Sequence, residues 1–473
     1  MNQLVEIFPS ERQKLYDRFA DRLETASNLN RQLVSFQANK EEPIYRWFKY
    51  KEGFSSGLVR YFLTKYSTRP GKLLDPFAGV GTTLFAGQAL GWEPYGIEVL
   101  PVGTFVMKTR EALSKIDPAD LNVSIQKFWS QFNKIGTGTT HFNHIPITKD
   151  AFPDDTEIAL NRFLTYCENV HTKEIQTVLR FAAFSILEEI GYTRKDGQYL
   201  RWDYRSKRDL GGKPFNKGRI LAFEQALKHK LSQIVADLAP QSDSLFDTPS
   251  SNGHDKQPIN VIEGSCLAKL PTIENDSFDF IVTSPPYCNR YDYTRTYALE
   301  LVFLGCDSDR VRNLRQELLS CTVENKEKID QLRQLYSSFG KDESFDSVFR
   351  VYDSSPAMRE VNSILNELNK HGKLNNSNIP RMVRNYFLEM CFVISEMARI
   401  TKSGGHCVMV NDNVRYGGEE IPVDLILSEF AEGFGFHAKK ILVLPRGKGN
   451  SSQQMGNYGR AEIRKCVYLW QKE

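Results

Sequence analysis

The stretch that most restricts the fold of this chain is Thr283-Ser284-Pro285-Pro286-Tyr287, which follows the apolar run 278–282. The run predicts a buried strand because it is short, apolar and bounded by a turn. Two consecutive prolines fix φ and remove two backbone donors, so the chain there can neither continue as a central strand nor begin an ordinary helical turn. A rigid corner is therefore predicted at the carboxyl end of a strand, where open α/β sheets bind ligands. The alternative is a simple proline turn with a packed tyrosine.

Length and composition set only broad limits on the chain. Its 473 residues predict two or three domains, or one large domain with an insertion. The net charge of +3 neither requires nor excludes a nucleic-acid partner. The eight cysteines form no C-x-x-C pair, so we expect reduced, mostly buried thiols of a cytosolic protein. Neither a secretory signal nor a run of 18 apolar residues is visible, so no membrane partner is expected.

A second candidate ligand site lies in residues 71–83, which read Gly-Lys-Leu-Leu-Asp-Pro-Phe-Ala-Gly-Val-Gly-Thr-Thr. A short apolar strand enters a glycine-rich turn, and the turn opens a helix. Glycines let the backbone approach a ligand closely, and a helix N-terminus offers unpaired N–H groups. The next predicted strand ends at Glu98, where doubly wound nucleotide folds place a carboxylate on the ribose. The pattern is neither a complete dinucleotide fingerprint nor a P-loop.

The most basic stretch of the chain is 192–208, and aromatic residues interleave its charges. This mixture suits phosphate contacts combined with stacking. The candidate DNA-binding residues are Arg194, Lys195, Arg201, Trp202, Arg205, Lys207 and Arg208. The alternative is a solvated loop. Residues 241–257 are predicted to be a flexible linker, and 446–460 a polar loop.

The motifs together resemble those of the amino-methylating DNA methyltransferases. Asp75 to Thr83, with Glu98 downstream, resembles the cofactor motif of that family, and Ser-Pro-Pro-Tyr resembles its catalytic motif in the form typical of cytosine-N4 enzymes. The segments 45–63 and 380–410 are similar to the regions that flank these motifs. The cofactor motif comes first here, whereas many Ser-Pro-Pro-Tyr members have the opposite order.

The resemblance implies an α/β fold, with a doubly wound, mostly parallel, Rossmann-like methyltransferase sheet and a large helical insertion. The expected divisions are an N-terminal helical arm (1–42), the cofactor half (43–110) and an inserted target-recognition region that is helical and basic (111–258). The catalytic half (259–305), a charged helical insertion (306–378) and the C-terminal part of the methyltransferase domain (379–473) follow. The charged segment 306–378 competes with 111–258 for target recognition.

The resemblance also implies the chemistry. We expect transfer of a methyl group from S-adenosylmethionine to the N4 amine of a flipped-out cytosine in double-stranded DNA, without metal, in a bacterial or archaeal cytoplasm, with a possible cognate restriction endonuclease. The implied catalytic residues are Ser284, Pro285, Pro286 and Tyr287. The implied cofactor residues are Asp75, Phe77, Ala78, Gly79, Gly81, Thr82, Thr83, Glu98 and Ser265. Ser265 stands where the family often has an aspartate that contacts adenine. Adenine-N6 methylation of DNA, RNA methylation and a non-catalytic binding protein remain as alternatives.

Overall fold

A sheet of eight strands forms the centre of the chain in the computed structural model, which describes residues 10–136, 139–196, 199–209, 214–238, 257–445 and 463–473. Within these ranges the strands are β1 (Leu23–Thr25), β2 (Lys72–Asp75), β3 (Glu93–Glu98), β4 (Thr193–Asp196), β5 (Tyr199–Trp202), β6 (Asn260–Glu263), β7 (Phe278–Thr283), β8 (Thr401–Asp412), β9 (Val414–Tyr416), β10 (Glu419–Ile421), β11 (Phe436–Val443) and β12 (Lys465–Lys472).

The helices of the same described ranges surround the sheet. They are α1 (Glu11–Phe19), α2 (Ser56–Tyr66), α3 (Thr82–Ala89), α4 (Pro101–Leu113), α5 (Pro118–Gln131), α6 (Asp154–Glu168), α7 (Lys173–Ser185), α8 (Leu187–Ile190), α9 (Phe223–Leu238), α10 (Cys266–Lys269), α11 (Tyr293–Thr296), α12 (Ala298–Phe303), α13 (Ser308–Glu317), α14 (Ile329–Ser338), α15 (Asp342–Ser354), α16 (Pro356–Lys370), α17 (Ile379–Ile400) and α18 (Val423–Gly433).

The strand order of the central sheet is β1-β11-β12-β8-β7-β2-β3-β6. Neighbouring strands pair in parallel except for β12, which runs antiparallel to both β11 and β8. Because β2, β3, β6, β7 and β8 are parallel, their carboxyl ends meet along one edge of the sheet. The predicted mostly parallel α/β sheet is confirmed.

Both faces of the sheet are buried, as a doubly wound arrangement requires. On β8, the side chains of Cys407 and Met409 join a core with α17 and α18, whereas Val408 and Val410 join a core with α2. This alternation follows from the two-residue period of a strand. A third core holds the helices α5, α6, α7 and α9 together. It also takes in Trp47, Tyr50 and α12, so the region predicted as an insertion packs against its flanking segments.

Two predicted segments differ from their expected structure. Residues 1–42 were expected to form a helical arm, but the described part contains α1 and also β1, which extends the sheet by pairing Leu23 with Ile441. The basic run, expected in a helical region, forms an antiparallel hairpin of β4 and β5. On one face of the hairpin Thr193, Lys195 and Leu200 are buried, and Trp202 packs against the helical core, which the local sequence does not reveal.

The remaining predictions concern the linker and the polar loop, the cysteines and membrane-spanning segments. Most of the predicted linker 241–257 and all of the loop 446–460 lie outside the described residues. All eight cysteines are free and buried, as expected. Among the described helices, none is long and apolar enough to cross a membrane.

Candidate active site

A cleft lies at the edge of the sheet where the parallel strands end. Its volume is about 720 Å³, including space open to solvent. The cleft brings together residues from both predicted motifs: Asp75, Phe77, Ala78, Gly79, Thr82, Glu98, Ser265, Ser284 and Pro286. Gly81, Thr83, Pro285 and Tyr287 lie next to this lining without forming part of it. The two motifs, about 200 positions apart in sequence, therefore face one cavity.

The glycine turn after β2 has the left-handed backbone that favours glycine. Gly79 has φ +54° and Gly81 has φ +80°. A Cβ atom on Gly79 would lie 3.0 Å from the Tyr50 ring, and one on Gly81 would lie 2.7 Å from Met107 Cγ. Gly81 also precedes α3 without a side chain that could cap it. Gly81 thus serves the turn and its packing, while Gly79 borders the cleft.

Glu98 closes the turn from the end of β3. Its Oε2 accepts the Gly79 N–H and its Oε1 accepts the Leu100 N–H, both at 2.7 Å. Burial raises the pKa of Glu98 to about 7, against the opposing effect of those backbone donors. A carboxylate oxygen has two acceptor positions, so each oxygen can still take one hydroxyl donor. The position of Glu98 in the cleft wall suits a ribose.

Asp75 connects the two motifs. Its Oδ1 accepts the Thr283 hydroxyl at 2.6 Å and the Phe77 N–H at 3.0 Å, and its Oδ2 accepts the Thr83 hydroxyl at 2.8 Å. Burial raises the pKa of Asp75 to about 6, although these three donors oppose the shift. Thr83, predicted to bind the cofactor, therefore supports Asp75 behind the cleft wall. Asp75 fixes the glycine turn after β2 relative to the end of β7.

The Ser-Pro-Pro-Tyr corner directly follows β7. Ser284 is half-buried, and its hydroxyl donates to the carbonyl oxygen of Val410 at 3.1 Å. The Tyr287 hydroxyl is a second acceptor within reach of the same proton, and since a hydroxyl has one proton and two lone pairs, Oγ retains acceptor capacity for a donor in the cleft. Pro285 and Pro286 are buried, which makes the corner rigid. Tyr287 is half-buried, and its hydroxyl lies 3.4 Å from Ser284 Oγ.

Two charged residues beside the corner were not identified from the sequence. Asp412 ends β8 and Lys465 begins β12, and their charged groups lie 3.5 Å apart. Lys465 Nζ also lies 5.8 Å from the centre of the Tyr287 ring. Burial raises the pKa of both Asp412 and Tyr287, and the Lys465 ammonium opposes each shift. Their positions at strand ends on the same edge as Ser284 are the feature that could have indicated them.

The aromatic segment before α2 forms another wall that the sequence indicated only in outline. Glu52 lines the cleft and accepts the hydroxyls of Tyr291 and Tyr297. Tyr50 also lines the cleft, and its ring stacks on Tyr297 with the centroids 5.1 Å apart. Burial raises the pKa of Glu52 despite these hydroxyl bonds. The loop after the corner is therefore fastened to the cleft wall.

Leu318 and Leu319 line the cleft from the segment that follows α13. The next residue, Ser320, donates its N–H and hydroxyl to the buried carboxylate of Glu389 on α17. Lys328 completes this buried cluster with bonds of 2.8 and 2.9 Å to Glu389. Part of the predicted charged insertion 306–378 therefore belongs to the wall of the cleft.

The predicted DNA-binding residues have different environments. Lys195 is 4% exposed and pairs with Glu300, so its predicted contact with a phosphate is wrong for this conformation. Arg205 forms two bonds with the buried Asp203, whose pKa it lowers to about 2, and serves the turn after β5. The exposed members are Arg194, Arg201, Arg205 and Lys207, and of these Arg205 is engaged with Asp203.

Arg201 and Lys207 pair with exposed Asp196 and Asp154. Such surface pairs contribute only about 0–1 kcal/mol, so both cations can exchange these partners for phosphates. The guanidinium carbon of Arg208 lies 4.2 Å from the centre of the half-buried Trp202 ring, and this contact holds the ring within the fold. Among the described residues, no group of three or more His, Cys, Asp or Glu side chains could hold a metal ion.

Comparison with known proteins places the chain beside type II methyltransferases. It is 45% identical over 464 residues to M.AvaI of Nostoc sp., covering 97% of this chain and 92% of that protein. It is 40% identical over 479 residues to M.BsoBI of Geobacillus stearothermophilus, covering 98% and 92%. M.MvaI of Kocuria varians is 24% identical over 430 residues, covering 88% and 87%. No family model and no solved structure matches the chain.

Proposed function

Since this chain belongs to the type II methyltransferases, we propose that it transfers the methyl group of S-adenosylmethionine to the N4 amine of a cytosine flipped out of double-stranded DNA. The observation that carries this proposal is the position of Ser284 in the cleft lining, where its one hydroxyl proton has Val410 and Tyr287 as acceptors and its oxygen retains acceptor capacity for the cleft. The glycine turn and Glu98 share that cleft, so a methyl donor and an amine would meet there.

The residues around the turn fit S-adenosylmethionine. Gly79 leaves the backbone uncovered, Glu98 retains acceptor positions for two hydroxyls, and Ser265 offers a hydroxyl to an adenine. When bound, the cofactor supplies an electrophilic methyl group on a sulfonium. The chain then has to position an amine in line with that methyl group, which is an effect of proximity and orientation.

The exocyclic amine is a poor nucleophile because its lone pair is delocalised into the ring. Neutral acceptors that hold its two hydrogens favour a tetrahedral nitrogen with its lone pair directed at the methyl group. The Ser284 hydroxyl and the Pro285 carbonyl are the acceptors that we assign to this role. They also stabilise the positive charge that develops on the nitrogen during transfer. No cysteine nucleophile is needed, and all eight thiols are buried.

The target base has to leave the duplex, which costs a few kcal/mol of unstacking. Stacking on Tyr287 recovers about 1–3 kcal/mol of this cost. The hairpin of β4 and β5, with exposed Arg194 and Arg201, supplies phosphate contacts beside the cleft. A cognate restriction endonuclease that cuts the same unmethylated site, and a location in the bacterial cytoplasm, are parts of the same proposal.

The second candidate is N6 methylation of adenine in DNA, which uses the same acceptors on a different base. The serine of the corner favours cytosine because the Ser form is typical of the cytosine-N4 members that the chain resembles. Methylation of RNA is the third candidate. The basic hairpin and the complete 75–83 motif favour DNA.

Mass spectrometry of nucleosides decides among these candidates. Double-stranded DNA of mixed sequence and structured RNA are incubated with the full chain and isotopically labelled S-adenosylmethionine, then digested. We expect label in 4-methylcytosine from DNA only. Label in 6-methyladenine, or in RNA nucleosides, would replace the cytosine-N4 proposal. The Ser284→Ala variant serves as the site-directed control, because label that it incorporates at the full rate would come from a contaminating activity.

A further inference from the structure

A buried arginine whose guanidinium bonds to no carboxylate of the described residues lies behind the glycine turn. Arg110 on α4 is 4% exposed, and its guanidinium lies between the rings of Tyr45 and Phe85, 5.2 Å from each centroid. One nitrogen donates to the Val80 carbonyl at 2.6 Å, and the buried Nε has no hydrogen-bond partner in the described part of the chain. A buried charge that lacks a partner is costly, so Arg110 requires an explanation.

The acidic residue that influences Arg110 is already engaged elsewhere. Glu42 acts on Arg110 only through space, since its two oxygens accept the Ser56 hydroxyl and an Arg60 N–H. Burial lowers the pKa of Arg110 to about 10, which still leaves the guanidinium charged at neutral pH. Among the described residues, therefore, no carboxylate bonds directly to the Arg110 guanidinium, which has only the Val80 carbonyl and two aromatic rings in contact with it.

Arg110 lines a second cavity that continues the cofactor cleft. This cavity has a volume of about 680 Å³, including open solvent, and shares Tyr50, Gly53, Phe54, Val80 and Thr82 with the cleft. The N-terminus of the eight-residue helix α3 borders it at Thr82, and no side chain caps that helix. Free N–H groups at a helix start attract an anion. Two independent features thus favour negative charge at the same end of the cleft.

We propose that Arg110 and the start of α3 bind the carboxylate of the amino-acid part of S-adenosylmethionine; this inference rests on the function proposed above. The ligand has to place a carboxylate in a cavity that is continuous with the cleft. Glu98 and Ser265 suit the adenosine part, which leaves the wall shared by both cavities for the amino-acid part. A phosphate of a DNA duplex cannot reach a side chain that is 4% exposed.

The alternative role of Arg110 is a purely structural tie to the turn through the Val80 carbonyl. A guanidinium has five N–H donors, so that bond does not exhaust it. The two roles differ in one measurable respect. A structural tie would affect every ligand of the cleft equally, whereas a carboxylate partner affects only ligands that have the carboxylate.

Calorimetric titration of the full chain separates the roles with two ligands. One is S-adenosylhomocysteine, and the other is its decarboxylated analogue, which keeps the adenosine and the amine. The variants are Arg110→Met and Arg110→Lys, with Lys108→Met as the matched control, because Lys108 lies on the same helix, is exposed, pairs with Glu263 and lines neither cavity.

We expect Arg110→Met to weaken S-adenosylhomocysteine binding about 10- to 100-fold, the range of a charge-assisted hydrogen bond. Binding of the decarboxylated analogue should stay within about threefold, Arg110→Lys should recover part of the loss, and Lys108→Met should match the wild type. Equal weakening of both ligands in Arg110→Met and Arg110→Lys, or a wild type that binds both ligands equally well, would overturn the inference. A wild-type chain that binds neither ligand would instead overturn the proposed function, and this inference with it.

Discussion

Replacing Ser284 with alanine removes the hydroxyl that is proposed to hold the target amine. In the structure this hydroxyl also donates to the Val410 carbonyl, a residue that is 1% exposed. The variant leaves that carbonyl without its side-chain donor, which costs about 1–3 kcal/mol of stability if no water replaces it. Since domains of this kind are stable by about 5–15 kcal/mol, the variant should fold.

The effect on methyl transfer should be larger than the effect on folding. Removing one positioned polar group from a site where charge develops typically lowers the rate about 10²- to 10³-fold, or about 2.7–4 kcal/mol. The Pro285 carbonyl remains in Ser284→Ala, so some transfer persists. If the hydroxyl contributed only an ordinary neutral hydrogen bond of about 1 kcal/mol, the loss would be only about fivefold.

Single-turnover transfer of a tritiated methyl group to a duplex measures this rate without product release. Thermal unfolding and S-adenosylhomocysteine affinity are measured on the same samples. Ser277→Ala is the matched control, because Ser277 precedes the same strand and its hydroxyl donates to Glu274 away from the cleft. A Ser284→Ala rate within threefold of the wild type, with the variant folded, would refute the acceptor role of Ser284.

Three further predictions concern other parts of the site. Tyr287→Ala should lower the transfer rate about 5- to 150-fold, which corresponds to the loss of about 1–3 kcal/mol of stacking, and should leave S-adenosylhomocysteine affinity within about twofold, as measured by calorimetry. Normal turnover would exclude stacking on Tyr287. Arg194→Ala should weaken DNA binding in gel shifts and reduce the slope of log affinity against log salt concentration by about 1. Lys195→Met should lower the unfolding temperature and leave that slope unchanged. The opposite pattern would contradict the assignment of Arg194 to a phosphate and Lys195 to the fold. Burial raises the pKa of Glu98 to about 7, and only the ionised carboxylate has acceptor positions free on both oxygens. S-adenosylhomocysteine affinity should therefore fall by up to about tenfold per pH unit as the pH drops below about 7. Glu98→Gln should remove this dependence, and a pH profile shared by both proteins would show that another group titrates.

The features that could be predicted from the sequence are encoded by neighbouring residues. The strand, glycine turn and helix at 72–89 depend on apolar periodicity and two glycines with positive φ, both of which are local. The corner after β7 depends on two prolines, and the structure has its strand end at Thr283 as expected within one residue. The meeting of the two motifs at one cleft required the parallel order of β7, β2 and β3, which the predicted fold class supplied.

The features that were missed depend on partners far away in the sequence. β1 has three residues, too few for a strand pattern, and is a strand because Leu23–Thr25 pair with Ile441–Val443. A lysine in a basic run reads as exposed, yet Lys195 is buried because Glu300 lies opposite it. Asp412 and Lys465 meet only because β12 runs antiparallel to β8.

The buried position of Lys195 joins the basic hairpin to the cofactor cleft. Its ammonium lies 4.5 Å from the centre of the Tyr297 ring, which in turn stacks on Tyr50 in the cleft wall. A duplex that displaced the hairpin would therefore act on the wall that we propose holds the cofactor. Thermodynamic linkage is reciprocal: the factor by which DNA changes cofactor affinity equals the factor by which the cofactor changes DNA affinity. The order in which the two substrates bind then changes the path to the ternary complex but not its total free energy.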